Sequence, residues 1–490
     1  MDEAFDYDVA IVGAGVSGCA IAYELACCDL RVVVLEREDD VCCGTSRANS
    51  AIVHAGFDAA TGSLMARLNV EGSRLMGPLC EELGVDYQRI GSLVVCVDAS
   101  ERGGLDELLR RGRQNGVEGL RVVERAELRE LEPNVADAAV AALWAPTAAI
   151  VNPFQLTVAL AETAAVNGVE FRFNAPVSDV ARFGRGWRVA TTSGPLSARV
   201  VVNAAGVHAD ELHNLVCRPG ERLEITPRRG QYYVLDTTAG AHVRHTVFAL
   251  PTRLGKGVLV TPTTGGNLLV GPTAEDIGDK EGTDTTSDGL AEVARKASMT
   301  VRDVPLGERI RTFSGLRAHQ PGHDFVIGEV AGAAGFIDCA AIESPGLSAA
   351  PAIGRMVAGL VAERLGVAPT RAPARRPEPI VDVTRLSRED WDALIARRAE
   401  YGHVVCRCRT VTEGQIVDAI HRPIPARSVD AVKRRVEAGM GRCQGGFCTP
   451  LVMALLAREL GVDEARLTKD GPGSELVTGR VREFEGGAGR

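Results

Sequence analysis

Residues 8–18 read Asp-Val-Ala-Ile-Val-Gly-Ala-Gly-Val-Ser-Gly, and this stretch decides the fold of the first part of the chain. Its apolar start, bounded by glycine, is typical of a buried parallel strand, and the residues after it read as a helix. In such a turn Gly13 permits the tight bend, Gly15 lets the backbone approach a pyrophosphate and Gly18 allows close packing of helix on strand. Free amides at the helix N-terminus favour the phosphates. The pattern therefore predicts a dinucleotide site.

A second strand completes this unit. It reads Arg31-Val-Val-Val-Leu35 and ends at Glu36, whose carboxylate is placed to accept hydrogen bonds from a ribose. The sequence of strand, glycine turn, helix, strand and acid is far more specific than three glycines alone. It does not by itself distinguish FAD from NAD.

The overall composition excludes several classes of protein. The chain has 490 residues, 45% of them apolar and 24% charged, with a formal net charge of -9. This length predicts about two to four domains, and the near-average composition excludes a disordered, collagen-like or coiled-coil protein. The acidic balance argues against nucleic-acid binding. Because no apolar stretch approaches the ~20 residues of a membrane-spanning helix and the acidic start lacks a secretory signal, we expect a cytoplasmic protein with at most peripheral membrane contact.

The segment after the second strand carries a resemblance. Where a nicotinamide-binding unit would turn into another helix, residues 42–57 are small and polar and include Asn49-Ser50-Ala-Ile-Val-His54-Ala-Gly56. This block resembles the FAD-dependent oxidoreductases of the D-amino-acid oxidase superfamily, in particular the glycerol-3-phosphate dehydrogenases and L-2-hydroxyglutarate oxidases. The resemblance implies FAD as the cofactor. The residues of this loop expected to contact it are Thr45, Ser46, Asn49 and Ser50.

In those families the histidine of this block lies over the flavin and is implicated as the base that takes the substrate hydroxyl proton. The resemblance carries that role to His54. Histidine suits it because its side chain titrates closest to neutral pH. The alternative for His54 is a packed histidine that holds a backbone carbonyl.

Three later segments resemble further flavin contacts of the superfamily. Val177, in a predicted strand, matches a valine whose backbone touches the adenine. The strand Arg199-Val-Val-Val-Asn203 runs into Gly206, where a side chain would block the pyrophosphate. A loop then enters a helix whose amides would face the pyrimidine edge of the flavin and stabilise negative charge there. The residues expected in that loop are Ser344, Gly346, Leu347 and Ser348.

Residues 225–320 alternate apolar and polar side chains, which predicts antiparallel strands with one face covered. We expect this sheet to cover the flavin and receive the substrate. The element Gly315-Leu-Arg317 near its end resembles one that supplies an arginine for the anionic end of the substrate. The planar guanidinium binds a phosphate or a carboxylate bidentately, so Arg317 suits either. The alternative for Arg317 is a surface salt bridge.

Four of the thirteen cysteines form a C-x-C pair, Cys406 and Cys408, and a C-x4-C pair, Cys443 and Cys448. Four thiolates on glycine-rich turns can hold zinc or a small iron–sulfur cluster. The pattern resembles the bacterioferritin-associated-ferredoxin type of [2Fe–2S] domain, which implies a small helical fold and a [2Fe–2S] cluster. Such a cluster would transfer electrons, or alternatively serve structure or sensing.

These observations predict an α/β plus α+β protein with a Rossmann-like FAD-binding domain, a discontinuous antiparallel-sheet substrate domain and a small helical C-terminal domain. The expected boundaries are FAD-binding pieces at about 1–85, 150–210 and 325–365, substrate-domain pieces at about 86–149 and 211–324, a linker at 366–400, the [2Fe–2S] domain at 401–460 and a tail at 461–490.

The expected activity is FAD-dependent oxidation of sn-glycerol 3-phosphate to dihydroxyacetone phosphate, with electrons leaving through the cluster to an acceptor or a second redox subunit. The run after the His-x-Gly block, Gly56 to Arg67, is closer to the hydroxyglutarate oxidases. L-2-hydroxyglutarate or another 2-hydroxy acid is therefore the alternative substrate, and an amine the third. An alternative of another class is a non-catalytic electron-transfer subunit of a larger flavoprotein complex.

Overall fold

The computed structural model describes residues 4–250, 257–368 and 375–479. Its strands, in chain order, are β1 (Tyr7–Val12), β2 (Val32–Leu35), β3 (Ile52–Val53), β4 (Tyr87–Gln88), β5 (Ser92–Cys96), β6 (Arg121–Glu124), β7 (Ala141–Ala145), β8 (Ala149–Val151), β9 (Glu170–Arg172), β10 (Val177–Phe183), β11 (Gly186–Thr191), β12 (Leu196–Asn203), β13 (Thr226–Leu235), β14 (Thr246–Ala249), β15 (Leu259–Pro262), β16 (Leu268–Gly271), β17 (Glu275–Asp276), β18 (Arg309–His319), β19 (Val326–Glu329), β20 (Phe336–Ala340), β21 (Val404–Cys406) and β22 (Val411–Thr412).

The helices, in chain order, are α1 (Val16–Leu25), α2 (Leu64–Leu83), α3 (Gly103–Gln114), α4 (Arg125–Leu131), α5 (Pro153–Val166), α6 (Ala209–Val216), α7 (Ser287–Ala297), α8 (Gly346–Leu365), α9 (Arg388–Arg397), α10 (Glu413–Ile420), α11 (Val429–Val436) and α12 (Thr449–Leu460). None of the helices in the described ranges is both long and apolar enough to cross a membrane. The chain divides into two compact units, Met1–Arg37 with Val41–Arg376 and Glu38–Asp40 with Pro377–Arg490.

The first sheet has a parallel centre. Its order is β10-β11-β12-β1-β2-β9. β20 lies parallel to β12 on the edge opposite β1, where it pairs with the end of β12 while β11 pairs with its start, and β19 lies antiparallel beyond β20. The four residues of β2 and the last four of β1 are buried, as expected for strands that are covered on both faces. Helix α1 packs on α5 and α8. This is the predicted Rossmann-like arrangement.

The strand order places the candidate cofactor residues at one edge. In a parallel sheet ligands bind beyond the carboxyl ends of the strands. β1 ends before Gly13, β2 before Glu36, β12 three residues before Gly206 and β20 four residues before Ser344. Four segments that are far apart in sequence therefore meet at the same edge of the sheet.

The second sheet has the order β17-β13-β16-β15-β14-β5-β7-β6, with β18 paired to β13. Its pairs are antiparallel, as predicted, except that β14 runs parallel to β5. That exception arises because β14 and β5 belong to different chain segments, so no hairpin joins them. Apolar residues from both segments, among them Leu93, Val247 and Val270, form one buried core.

A buried polar group ties the first sheet to α6. Asp338 of β20 accepts a hydrogen bond from Asn203 Nδ2 at 2.9 Å, and its other oxygen lies 2.6 Å from His213 Nδ1. The hydrogen bond with Asp338 raises the pKa of His213 above its ordinary value of 6.5, against the opposing effect of burial. The charged form of His213 is thus favoured in the folded protein.

We expect the stability supplied by His213 to depend on pH. Because its pKa is higher in the folded protein, the contribution is complete below pH about 6.5 and is lost as the pH rises through the raised value. The melting temperatures of the wild type and of His213→Gln should therefore differ more at pH 6 than at pH 9. A difference that is constant over this range would contradict the assignment. His242→Gln, in which the replaced ring bonds only a backbone carbonyl, is the control.

The second unit contains the β21–β22 hairpin and helices α9 to α12. Apolar residues of the hairpin and of α10, α11 and α12 form its core, including Val405, Ile416, Val432 and Leu456. Thr412 and Gln415 form a reciprocal capping box that starts α10 directly after β22. The predicted small helical domain is confirmed, with one short hairpin that the sequence analysis did not predict.

Candidate active site and cluster site

The glycine turn after β1 is shaped by contacts with the backbone of its neighbours. Gly13 has φ +104°, and a Cβ on it would lie 2.4 Å from the carbonyl oxygen of Ala204. A Cβ on Gly18 would lie 2.0 Å from the carbonyl oxygen of Gly13. Both positions exclude any side chain, so these two glycines are required by the packing of strand, turn and helix.

Gly15 is different, because the space beside it is open. The only neighbour of a Cβ on Gly15 within 4 Å would be Ser46 Oγ at 3.2 Å. That hydroxyl accepts a hydrogen bond from the Val16 amide at 2.8 Å. Gly15, the residue that precedes α1, has no side chain that could cap the helix. The open space lies at the N-terminus of a buried helix, which is the environment that binds phosphate. The turn therefore fits a dinucleotide pyrophosphate.

Glu36, Val177 and Gly206 lie at the same edge. Glu36 Oε2 accepts a hydrogen bond from the Ala14 amide at 2.7 Å, which holds the carboxylate against the glycine turn. The Glu36 carbonyl accepts one from the Ala175 amide at 2.8 Å, so the chain that leads into Val177 follows the end of β2. Gly206 has φ +59°, and nothing lies within 4 Å of a Cβ built on it. All three residues therefore lie at the carboxyl edge of the sheet, where a cofactor is expected to bind.

The loop that precedes His54 is fixed by its own side chains. Thr45 Oγ1 donates to the Leu316 carbonyl at 2.6 Å, and Ser50 Oγ lies 3.3 Å from the hydroxyl of Tyr232. Asn49 donates to the Ser46 carbonyl at 2.8 Å and accepts from the Ala51 amide at 2.8 Å. The donor groups of Thr45 and Asn49 are thus used within the protein. These residues shape the loop, and their predicted contact with the cofactor stays a prediction.

His54 follows β3 directly and is held through its main chain. Its amide donates to Ser348 Oγ at 2.8 Å, and that hydroxyl donates to the Ile52 carbonyl at 3.2 Å. Ser348 is fully buried in the first turn of α8. The half-buried imidazole lies 5.7 Å from the ring of Phe248, centroid to centroid. Ser348, predicted to bind the cofactor, therefore has a hydroxyl committed to positioning His54.

The first turn of α8 has no side-chain cap. Ser344 is exposed, Gly346 is buried and Leu347 is half-buried. A Cβ on Gly346 would lie 2.6 Å from Ile342 Cγ2, so the loop closes tightly before the helix starts. The Gly346 amide donates to the Glu343 carbonyl at 2.6 Å, and the amides that follow it have the orientation of helix N-terminal amides, which stabilises negative charge.

A small cleft adjoins His54. Its lining consists of His54, Gly56, Phe57, Asp58, Ala59, Met65, Asn69, Ser344 and Pro345. Asn69, on α2, is 1% exposed, and its Oδ1 has no hydrogen-bond partner among the described residues. A buried amide oxygen without a partner costs about 1–3 kcal/mol, so the cleft offers an acceptor for a bound water or a substrate hydroxyl. Asn69 was not predicted from the sequence, where the only sign of it is a polar residue between the apolar Leu68 and Val70 on the buried face of α2.

Replacing Asn69 by leucine should separate stability from activity. The substitution removes a buried unpaired oxygen and keeps the branching of the side chain, while the larger leucine extends into the adjoining cleft, so we expect a higher melting temperature. We also expect turnover to fall about tenfold, because one hydrogen bond of about 1 kcal/mol or more to the bound species is lost. Asn115→Leu is a poor control since it breaks two loop bonds; Ser73→Ala, on the same helix, is the better one. A turnover equal to that of the wild type would remove Asn69 from the site.

Arg317 lies on the face of the second sheet that meets the loop before His54. In the β13–β18 pair Gly230 lies opposite Gly315, and Arg228 lies opposite Arg317. A Cβ on Gly315 would lie 1.9 Å from the Ala48 carbonyl, so this face contacts the loop. Side chains two residues apart share a face. Arg317 is therefore directed to the same side as the loop.

Arg317 also differs from its neighbours in its partners. Arg228 pairs with Asp276 at 2.6 Å, and Arg229 pairs with Glu275 at 2.9 Å. Arg317 donates to the Thr273 carbonyl at 3.1 Å, and within the described ranges it forms no ion pair. Its guanidinium thus keeps the capacity to bind an anion.

The four cysteines of the second unit lie together. Cys406 and Cys448 are buried, with the Cys448 thiol hydrogen-bonded to Cys406, while Cys408 and Cys443 are exposed with their sulfur atoms 3.7 Å apart. None of the thirteen cysteines, all of which are described, forms a disulfide. Gly441 permits this approach, since a Cβ on it would lie 2.3 Å from the Cβ of Cys408.

Two of these thiols favour the thiolate form. The bond from Cys448, opposed by burial and assisted by main-chain amides, lowers the pKa of Cys406 to about 6. The main-chain amide of Phe447 contributes most to a lowered pKa of Cys443. The thiolate is the form that binds metal, so this donor set fits a cluster with two buried and two exposed ligands.

Comparison with known families decides between the flavin and nicotinamide alternatives. Residues 8–360 match the family model of the FAD dependent oxidoreductases, DAO. The chain belongs to the DAO family. Residues 404–458 of this DAO-family oxidoreductase match the model of the BFD-like [2Fe-2S] binding domain. The predicted cofactors, FAD and a [2Fe–2S] cluster, are confirmed, and the four cysteines lie inside the second match.

The DAO-family chain has relatives over nearly its whole length. It is 46% identical to a glycerol 3-phosphate dehydrogenase of Caloramator mitchellensis over 97% of this chain and 99% of that protein. A solved structure of L-alpha-glycerophosphate oxidase from Mycoplasma pneumoniae with FAD bound has a TM-score of 0.69 and 34% identity, covering 72% of this chain and 94% of that one. An L-2-hydroxyglutarate dehydrogenase of Escherichia coli is 30% identical over 55% of this chain and 64% of that protein.

Proposed function

We propose that this FAD-dependent oxidoreductase oxidises sn-glycerol 3-phosphate to dihydroxyacetone phosphate. The observation that carries the proposal is the combination of two residues. The main-chain amide of His54 is held by Ser348, and Arg317, which forms no ion pair in the described part of the chain, lies on the sheet face that meets the loop before His54. The first group suits a hydroxyl proton and the second a phosphate. The names of the Caloramator and Mycoplasma relatives support the same substrate.

Arg317 and His54 have separate roles in the proposed reaction. Arg317 binds the phosphate through its planar guanidinium and so orients the carbon that is oxidised. His54 accepts the proton of the hydroxyl on that carbon. The second sheet covers the site and limits access of water. When bound, FAD supplies the acceptor for the hydride, and the cluster supplies a one-electron centre.

The FAD site that we propose uses the residues at the carboxyl edge. Gly13, Gly15 and Gly18 would form the pyrophosphate turn, Glu36 would bind a ribose, and Gly206 would leave room for the phosphates. Val177 would contact the adenine. The amide of Leu347 would face the pyrimidine edge, while Gly346, whose own amide donates to the Glu343 carbonyl, would shape the turn beside it. Ser46 and Ser50 would contact the cofactor from the loop, and Ser344 from the α8 side. Cys406, Cys408, Cys443 and Cys448 would hold the cluster.

The second candidate substrate is a 2-hydroxy acid such as L-2-hydroxyglutarate. It is favoured by one specific property of Arg317, whose guanidinium binds a carboxylate as well as a phosphate. The Escherichia coli relative supports it over a shorter part of the chain.

The test is anaerobic reduction of the bound flavin by the purified full chain. Glycerol 3-phosphate, L-2-hydroxyglutarate and proline are compared at equal concentration by the loss of absorbance near 450 nm. We expect rapid bleaching by glycerol 3-phosphate alone. Faster bleaching by L-2-hydroxyglutarate would transfer the proposal to the second candidate. No bleaching by any of the three, with flavin and cluster both bound, would favour a non-catalytic electron-transfer subunit.

Arg317→Ala should raise the KM for glycerol 3-phosphate. A hydrogen bond to a charged group is worth about 1.5–3 kcal/mol, which corresponds to about 10–150-fold in kcat/KM. Arg317→Lys keeps the charge but not the bidentate geometry, so its kcat/KM should lie between those of the wild type and of Arg317→Ala. Steady-state kinetics measure the effect, and Arg229→Ala, which removes an ion-paired arginine of the same sheet, is the matched control. Equal losses in both variants would exclude a specific role for Arg317.

We further propose that the electrons pass to a separate acceptor or a second redox subunit. The exposure of Cys408 and Cys443 supports this, because a cluster held there would present one edge to a partner.

A cytoplasmic location, with contact to the inner face of the membrane, agrees with the cysteines being free of disulfides. Purification of the chain from its own cells with and without membrane washing would test this location.

A further inference from the structure

Two histidines and a glutamate form a compact cluster that the proposed reaction does not use. His319 ends β18, His323 lies four residues later, and Glu343 lies in the segment that leads into α8. His319 Nδ1 lies 3.1 Å from Glu343 Oε2, and His323 Nδ1 lies 3.7 Å from Glu343 Oε1. One ligand atom of each side chain can be chosen so that all three lie within 4.8 Å of one another.

We propose that His319, His323 and Glu343 bind one divalent transition-metal ion of the zinc type. Two imidazoles and one carboxylate form a donor set that zinc binds with three protein ligands and a water. Ligands on such an ion lie about 3.3 Å apart, given metal–ligand distances of about 2.0–2.1 Å. His319 and Glu343 are already this close, at 3.1 Å, whereas the 3.7 Å between His323 and Glu343 is slightly larger. Rotation of His323, whose side chain is 64% exposed, closes the set without moving the buried His319 or Glu343.

The charge around the cluster is favourable. Arg228 and Asp276 lie beside it as an ion pair with N and O 2.6 Å apart, which adds no net charge. Arg228 lowers the pKa of Asp276 through its hydrogen bond and charge, so both members of this pair stay charged and their charges cancel. With neutral imidazoles, Glu343 leaves a net negative charge that a divalent cation compensates.

A metal ion at this position would join two segments of the first unit. One is the end of β18, the strand that carries Arg317, and the other is the segment before α8, the helix that positions His54. The loop from Gln320 to Asp324 is already attached to α2, since Asp324 accepts hydrogen bonds from the amides of Leu64 at 2.9 Å and Met65 at 2.7 Å. The ion would therefore stabilise the walls of the site from outside it.

The test measures zinc bound by the iron-loaded full chain. After equilibrium dialysis against zinc, metal content is determined for the wild type and for His323→Ala, whose exposed side chain can be removed without disturbing the core. We expect the variant to bind one zinc fewer per chain. Loss of a group that only hydrogen-bonds a metal ligand lowers affinity about 10–100-fold, so loss of a ligand itself should lower it at least as much.

The matched control is His403→Ala. His403 also lies beside a carboxylate, Glu413, at 2.8 Å and is 57% exposed, but no third ligand joins this pair within the described part of the chain. The His403→Ala variant should bind as much zinc as the wild type. Zinc should also raise the melting temperature of the wild type but not of His323→Ala, whereas magnesium, which prefers oxygen ligands, should have no effect. Equal zinc content in wild type and His323→Ala, or no zinc bound at this site by the wild type, would overturn the proposal. This result is independent of the substrate.

Discussion

Replacement of His54 by alanine is expected to slow reduction of the bound flavin by about 10²–10⁴-fold, the range for loss of a general base. FAD content should stay at the wild-type level, because the bond to Ser348 that fixes this segment is made by the main-chain amide of residue 54, which alanine keeps. Stopped-flow absorbance near 450 nm, with glycerol 3-phosphate in the absence of oxygen, measures the rate.

His242→Ala is the control for this experiment, because its ring bonds only the Arg302 carbonyl. Added imidazole should restore part of the rate in His54→Ala and none in His242→Ala. Ser348→Ala should give an intermediate loss, since the base remains but its support is removed. A wild-type rate in His54→Ala would exclude the imidazole as the proton acceptor.

Loss of the iron–sulfur cluster is the second large effect that we expect. Cys448→Ser replaces a buried sulfur by oxygen and removes the donor that lowers the pKa of Cys406. Because thiolates hold iron–sulfur clusters and a serine hydroxyl is a far weaker acid than a thiol, the purified variant should contain much less iron and acid-labile sulfide than the wild type. Its flavin absorbance should persist, since residues 8–360 form the separate oxidoreductase match.

Cys217→Ser provides the matched control for the cluster. Cys217 is half-buried in the first unit and lies outside the four-cysteine group. This variant should keep the full iron content. Full iron and sulfide in Cys448→Ser would show that Cys448 is not a ligand.

Local sequence carries the part of the site that depends on backbone shape. Gly13 and Gly18 were predictable because strand, turn and helix are adjacent in the chain, and the spacing of glycines itself reports which positions lack room for a Cβ. The cysteine pairs were predictable for the same reason, since each pair lies on one short turn.

Contacts between distant segments were not predictable. Ser348 bonds His54 across 294 positions, so no local pattern reports that its hydroxyl positions the histidine. Asn69 reads as an ordinary helical residue until α2 is placed against the cleft. The distinction between Arg317 and the ion-paired Arg228 requires the register of β13 and β18 and the position of Asp276. The domain boundaries stay a prediction, whereas the fold class is confirmed.

The order of strands in the first sheet determines when this sheet can be completed during synthesis on the ribosome. β1 needs β12 beside it, β12 needs β20, and α1 packs on α8, which ends at Leu365. At about 5–20 residues per second the ribosome takes roughly 20–70 s to deliver that length. The apolar β1 lacks one neighbouring strand until β12 has been made, and β12 lacks β20 until residue 340, and such edges invite aggregation. The carboxyl edge of this sheet, where the four segments meet, can therefore be completed only after β20 and the start of α8 have been synthesised.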